Sequence, residues 1–196
     1  MSNRFVSRAG EKLQGALDAF GVRVAGRMCA DFGCNVGGFT DCLLQAGAAK
    51  VFAVDTGYGE LAWTLRKDPR VAVMERTNAL YCPVPEPVDL VTVDVAWTPQ
   101  RLVIPAAIRW LKSCPGRQGA ELDGPLIISL IKPHYEAARF LGQKPHGVLE
   151  PEQASDIARS VCEDLTNTLG CRVLNLTPSP LLGKGGNREF LTLISP

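Results

Sequence analysis

Two groups of side chains have types and spacings that suit chemistry better than packing. The first begins in the run Asp31-Phe32-Gly33-Cys34-Asn35-Val36-Gly37-Gly38-Phe39-Thr40, which follows an apolar segment and opens into an amphipathic one. Its spacing is Asp-x-Gly-x-x-x-Gly, not the Gly-x-Gly-x-x-Gly that aims helix N–H groups at a pyrophosphate. Gly33 and Gly37 let the backbone approach a ligand closely, so the run suits a nucleoside without phosphates, and S-adenosylmethionine is the obvious cofactor. Asp55 comes about twenty residues after this loop, where a carboxylate can accept hydrogen bonds from both hydroxyls of a ribose. Thr56, Gly57 and Tyr58 follow it in the same set, Gly57 and Tyr58 where they can close over the nucleoside, and Asn78 is placed to meet an adenine edge. The second group is four charges: Lys12, Asp94, Lys132 and Glu189. A lysine at the end of the apolar run Leu126 to Ile131 is costly without a carboxylate nearby, and Asp94 is its natural partner.

The elements that must position these residues are legible as alternating patterns. Apolar, β-branched runs predict strands at Met28 to Asp31, Val51 to Asp55, Val71 to Met74, Leu90 to Asp94, Leu126 to Ile131, Arg172 to Leu176 and Phe190 to Ile194. Most are continuously apolar, as strands buried on both faces are. Helices are predicted over Leu13 to Phe20 with Gly21 as the stop, and over Phe39 to Ala46, Leu61 to Arg66, Arg101 to Lys112 and Pro151 to Leu169. Asp94, Lys132 and Glu189 then fall near one rim of a sheet, and Lys12 lies one residue before the apolar stripe of the first helix. No helix separates the last two strands, so the final one is expected to insert antiparallel. This is an α/β chain with a mostly parallel seven-stranded sheet, a Rossmann-like three-layer sandwich of the class I methyltransferase arrangement. Two long loops, Ser113 to Pro125 and Thr177 to Arg188, are too short for a second domain.

Composition narrows the class further. The chain has 196 residues, 46% of them hydrophobic, enough for one core without metal or disulfide staples. Its 21 Lys and Arg against 20 Asp and Glu leave a net charge of +1, so nucleic-acid binding has to come from where the charges sit. Seven cysteines with no Cys-x-x-Cys pair read as reduced core residues, and two histidines are too few for a metal site. With no apolar leader and no membrane-length run, the expectation is a cytoplasmic protein that does not engage a membrane.

The motifs Phe5-Val6-Ser7-Arg8-Ala9-Gly10-Glu11-Lys12-Leu13, Gly37-Gly38-Phe39-Thr40-Asp41-Cys42, Val54-Asp55-Thr56-Gly57-Tyr58-Gly59, Met74-Glu75-Arg76-Thr77-Asn78, Ile131-Lys132-Pro133 and Gly186-Asn187-Arg188-Glu189-Phe190-Leu191 resemble one family over nearly the whole chain. It is the TlyA (hemolysin A) family of ribosomal RNA methyltransferases, within the FtsJ-type 2′-O-ribose methyltransferases. The resemblance implies a Lys, Asp, Lys, Glu tetrad on Lys12, Asp94, Lys132 and Glu189. Lys132 would be the base or oxyanion stabiliser, Asp94 its orienting partner, and Lys12 and Glu189 would steer the ribose. A sulfonium cofactor favours acidic neighbours such as Asp31 and Asp94. The implied partner is structured RNA, gripped by Arg4, Arg8, Lys144, Lys184 and Arg188 within two basic groups. One holds Arg4, Arg8, Lys12, Arg23 and Arg27, and the other runs from Lys132 through His134, Arg139, Lys144 and His146 to Arg188.

The family carries an S4-type RNA-binding domain before the Val-Ser-Arg segment, so the chain reads as a catalytic domain alone, residues 1–196, with residues 1–26 a helical segment contributing to the site. Val95-Ala96-Trp97-Thr98-Pro99 also departs from the Ser-Phe-Ile-Ser type of run expected after Asp94. Methylation of a small molecule, or cofactor and RNA binding without catalysis, are the competing functions.

Overall fold

The computed structural model describes residues 4–113, 121–143, 145 and 147–196. In chain order these form α1 (Ala9–Phe20), β1 (Met28–Phe32), α2 (Gly38–Gln45), β2 (Lys50–Val54), α3 (Trp63–Arg66), β3 (Val71–Met74), β4 (Leu90–Val93) and α4 (Gln100–Trp110). After a 3₁₀ turn at Glu121–Asp123 come β5 (Leu126–Ile131), α5 (Pro133–Leu141), α6 (Pro151–Leu169), β6 (Arg172–Pro178) and β7 (Phe190–Ser195). The strands make one sheet in the order β3-β2-β1-β4-β5-β7-β6. Neighbours among β1 to β5 are parallel, and β7 enters antiparallel between β5 and β6, as the missing helix between the last two strands predicts.

Helices cover both faces of the sheet. On one face Trp110 of α4 meets Phe32 and Phe52 edge-on, at 5.2 and 5.9 Å between ring centroids, above a core shared with α6. On the other, Leu13, Ala16, Leu17 and Phe20 form the buried stripe of α1 and pack with α2 over Cys29, Val51, Leu90 and Leu126. Side chains alternate along a strand, so Ala30 and Phe32 of β1 join the first core and Cys29 the second. Asp31 therefore lies on the α1–α2 face, beneath α2. Cys29, Cys34, Cys42, Cys162 and Cys171 are buried and unpaired, and Cys114 lies outside the described residues.

Three local features differ from the sequence reading. β3 is a continuous apolar run, yet as an edge strand it is only half-buried, with Val73 37% exposed; β6, at the other edge, is also only half-buried. The predicted Leu61 to Arg66 helix shortens to the single turn of α3 because Ala62 is extended (φ −54°, ψ 138°). α5 has no signal of its own in the sequence: its buried positions Pro133, Glu136 and Ala137 have helical spacing, but a proline, a carboxylate and an alanine make no apolar stripe, while Tyr135 and Leu141 are exposed. Pro133 starts it, since the first helical position has no use for a backbone N–H. No helix among the described residues is long and apolar enough to cross a membrane.

Candidate active site

The strand order reverses between β1 and β4, and in an open α/β sheet ligands bind outside the carboxyl ends of the strands at such a point. Asp94 follows β4 and Lys132 follows β5. The last registered pair of β5 and β7 is Ile131 with Phe190, so the next step brings Lys132 and Glu189 to the same edge. Lys132 Nζ lies 2.6 Å from Asp94 Oδ1 and donates to the Val95 carbonyl at 3.1 Å. Lys12 reaches across from α1 and donates to Glu189 Oε2. This second pair is nearly sealed, Lys12 6% and Glu189 5% exposed. A Cβ at Gly183 would lie 2.5 Å from Glu189 Oε1, so a side chain there would have to push that carboxylate from its place beside Lys12.

Four charges thus share one low-dielectric site. Burial pushes the Asp94 carboxyl up, the Lys132 and Lys12 ammoniums oppose it, and Glu189 adds to it. Burying ion pairs seldom stabilises a fold beyond what apolar residues would, so two adjacent pairs at a ligand-binding edge point to chemistry. His134 stands beside them. Burial, opposed by Glu189 and aided by Lys132, holds its imidazole below the ordinary value, and its Nδ1 is buried with no hydrogen-bond partner among the described residues.

A cleft of about 430 Å³ opens over this group. Gly33, Cys34, Asn35, Val36 and Phe39 form one wall, Asp94, Ala96, Lys132, His134 and Tyr135 a second, and Gly183, Lys184, Gly185, Asn187 and Glu189 a third. Ser7, Arg8, Ala9 and Lys12 close the fourth side. The part played by Ser7 and Ala9 left no signal in residue type; only the path of the chain into α1 reveals it.

The remaining cofactor candidates serve different structural ends. Asp31 is fully buried off the cleft, its Oδ2 accepting from Thr40 Oγ1 at 2.7 Å and its Oδ1 from Thr92 Oγ1 at 3.0 Å. Burial raises its pKa to about 7, against both hydroxyls. Asp55 braces the loop: its Oδ2 accepts from the Asn35 N–H at 2.8 Å and its Oδ1 from the Gly57 N–H at 2.7 Å. Each of these oxygens keeps a lone pair for a ribose hydroxyl. Thr56 is exposed, Tyr58 is 68% exposed with the Arg76 guanidinium 4.1 Å above its ring, and Asn78 is exposed, its Oδ1 closing a turn on the Leu80 N–H.

The glycines also answer to packing within the chain. A Cβ on Gly33, at φ 83°, would lie 2.6 Å from the Asp94 carbonyl; one on Gly37 would meet Leu65 and, at 2.7 Å, Leu61. One on Gly38 would meet Ser7 and, at 2.9 Å, the Gly10 nitrogen. These glycines permit close approach by neighbouring parts of the protein, a demand that is separate from the approach of a ligand.

The basic residues divide as well. Arg8 and Lys184 are exposed on the cleft wall and Arg4 and Arg188 are exposed, Arg4 donating to Gln14. Lys144 and His146 lie outside the described residues. Arg23 and Arg27 belong to the opposite rim, before β1, where Arg23 pairs with Asp123 and Arg27 donates to the Leu122 and Gly124 carbonyls. Arg139 is paired with Asp164. The first basic group therefore does not form one patch.

The donor set suits S-adenosylmethionine: backbone of a glycine-rich loop with Asp55 beside it for a nucleoside, and Asp94 on the cleft wall for a cationic sulfonium. No cluster of metal-ligating residues occurs among the described residues. A lysine held by a carboxylate in a cleft can accept a proton or stabilise an oxyanion.

Comparisons with known proteins agree. A model of FtsJ-like methyltransferases matches residues 5–195. The chain is similar to the 16S/23S rRNA (cytidine-2′-O)-methyltransferase TlyA of Mycobacterium tuberculosis, 43% identical over 193 residues, 95% of this chain and 66% of that protein. It is 33% identical to Hemolysin A of Brachyspira hyodysenteriae, over 96% of this chain and 75% of the other. A solved candidate hemolysin from Streptococcus thermophilus superposes with a TM-score of 0.84 at 35% identity, over 99% of this chain and 68% of that one. The fold is the Rossmann-like fold of class I methyltransferases. A family match of that extent, on a fold and cleft that agree with it, means that the chain belongs to the FtsJ-like methyltransferase family.

Proposed function

We propose that this chain is an S-adenosylmethionine-dependent methyltransferase that modifies the 2′-hydroxyl of a ribose in structured RNA, with ribosomal RNA in the cytoplasm as the substrate class. The observation that carries the reading is the pair of lysine–carboxylate contacts, Lys132 with Asp94 and Lys12 with Glu189, at one edge of one cleft. The name of the Mycobacterium tuberculosis relative supports the choice of acceptor. When bound, the cofactor supplies a methyl group on a sulfonium, open to in-line displacement.

The chain's residues do the rest. Lys132 Nζ, held between Asp94 Oδ1 and the Val95 carbonyl, faces the incoming hydroxyl and either takes its proton or stabilises the alkoxide. Asp94 orients that amine. The sealed Lys12–Glu189 pair gives the ribose a fixed wall and adds its charges to the field around Asp94. Arg8 and Lys184 meet the phosphates on either side of the acceptor, with Arg4 and Arg188 farther out.

The test is to incubate the protein with methyl-labelled cofactor and ribosomal subunits or total RNA, then map 2′-O-methylation. Label in RNA with wild type, and a loss of about 10²-fold or more in Lys132→Ala, is expected. Label confined to a small-molecule extract overturns the reading. Lys132→Arg separates the two roles of the amine, because a guanidinium cannot act as a base near neutral pH but can still stabilise an oxyanion.

A further inference from the structure

Helix α4 starts without a cap of its own. Pro99 occupies the N-cap position and no side chain there bonds the first turn, although the first N–H groups of a helix need partners. The partner comes from another helix. Glu136 Oε1, in the first turn of α5, accepts from the Gln100 backbone N–H at 2.7 Å, and both residues are buried, 5% and 4% exposed. Gln100 in turn clasps β5: its Nε2 donates to the Leu130 carbonyl at 3.2 Å and its Oε1 accepts from Ser129 Oγ at 2.6 Å.

These contacts frame the reacting lysine. The segment from Asp94 to Pro99 is fastened at the cleft by Lys132, through Asp94 and the Val95 carbonyl, and behind the cleft by Glu136. Lys132 is itself the N-cap residue of α5, four residues before Glu136. One helix therefore carries both fasteners. Trp97 between them has φ 55°, a left-handed conformation that a bulky residue keeps only when its surroundings impose it. A buried carboxylate costs free energy, and burial pushes the Glu136 carboxyl up; the Gln100 N–H, Arg139 and Arg101 oppose this. Packing alone would be met better by an apolar side chain.

The geometry points to Glu136 as a positioning residue: by capping α4 from α5 it sets the placement of the Asp94 segment against Lys132. Its effect on rate rests on the methyltransferase reading above; its effect on structure does not. The test compares full-length wild type, Glu136→Ala and Glu136→Gln, the last of which keeps an acceptor for the Gln100 N–H.

In Glu136→Ala, amide exchange at residues 100–102 is expected to quicken about tenfold while β1 and β4 stay as in wild type. The side-chain amine signal of Lys132, in ¹⁵N-lysine-labelled protein, is expected to move. Calorimetric affinity for S-adenosylmethionine stays within about twofold, and kcat for RNA methylation falls about tenfold at unchanged KM for the cofactor. Glu136→Gln restores the exchange, the Lys132 signal and kcat. Unchanged exchange or an unmoved Lys132 signal overturns the proposal, as does quickened exchange with unchanged kcat, or failure of Glu136→Gln to rescue. Should Glu136→Ala not fold, Glu136→Asp, which withdraws the carboxylate by one carbon, is read by the same criteria. Should wild type methylate no RNA, the proposed function fails, and the exchange and Lys132 arms still decide the role of Glu136.

Discussion

Replacing Lys12 alone is expected to be worse for stability than replacing Lys12 and Glu189 together. Removing one partner of a sealed pair strands a buried charge, at about 3–5 kcal/mol, whereas an apolar pair of similar volume is nearly neutral. Chemical denaturation of Lys12→Met, Glu189→Leu and the double variant measures this, with methyl transfer lost in all three. Asp31 makes a pH prediction. Its carboxyl is raised to about 7 by burial, so between the ordinary carboxylate range and about 7 the folded chain holds a proton that the unfolded chain has released. Stability attributable to this group therefore falls as pH rises through that window and levels off above it. The urea midpoint of wild type is expected to drop more between about pH 5 and about pH 7.5 than that of Asp31→Asn. At this scale the sequence showed which residues are anomalous: a lysine ending an apolar strand is legible because burying it demands a partner. It could not show that Asp31 turns under α2 to Thr40 and Thr92, since that depends on which face of β1 meets which helix.

Elements were legible in proportion to their apolar period. α6, β3 and β5 lie where the pattern predicts and α1 starts a turn before its apolar stripe, whereas α5, which carries Glu136, buries a proline, a carboxylate and an alanine and so leaves no apolar stripe to read. The segment ahead of α1 is the other case. Val6 donates its N–H to Asp41 Oδ2 at 2.8 Å, which sets Ser7, Ala9 and Gly10 against the start of α2, where Gly38 leaves room for them. Gly38→Ala would drive a methyl into Ser7 and the Gly10 nitrogen and lift α1 with its lysine. A loss of about 1–3 kcal/mol is expected, or about 2–4 °C in Tm for each kcal/mol, together with weaker methyl transfer. A thermal melt and an initial-rate assay check it; an unchanged Tm would show that the segment yields.

For the molecule as a whole, the net charge of +1 is an average over two unlike rims. At the cleft Arg8 and Lys184 stand exposed, while at the far rim Arg23 is engaged by Asp123 and Arg27 by the Leu122 and Gly124 carbonyls. RNA affinity is therefore expected to fall with salt, and Arg8→Ala or Lys184→Ala to reduce the slope of log affinity against log salt by about 1 each. Filter binding across a salt series measures it. β7 enters the sheet between two strands made before it and delivers Glu189 to a lysine 177 residues earlier. During synthesis, every other part of the sheet is made before this strand, so β5 and β6 stand with a vacant lane between them and Lys12 with no carboxylate to meet. The closing of the sheet and the arming of the site are one event, and a chain interrupted before that strand has neither.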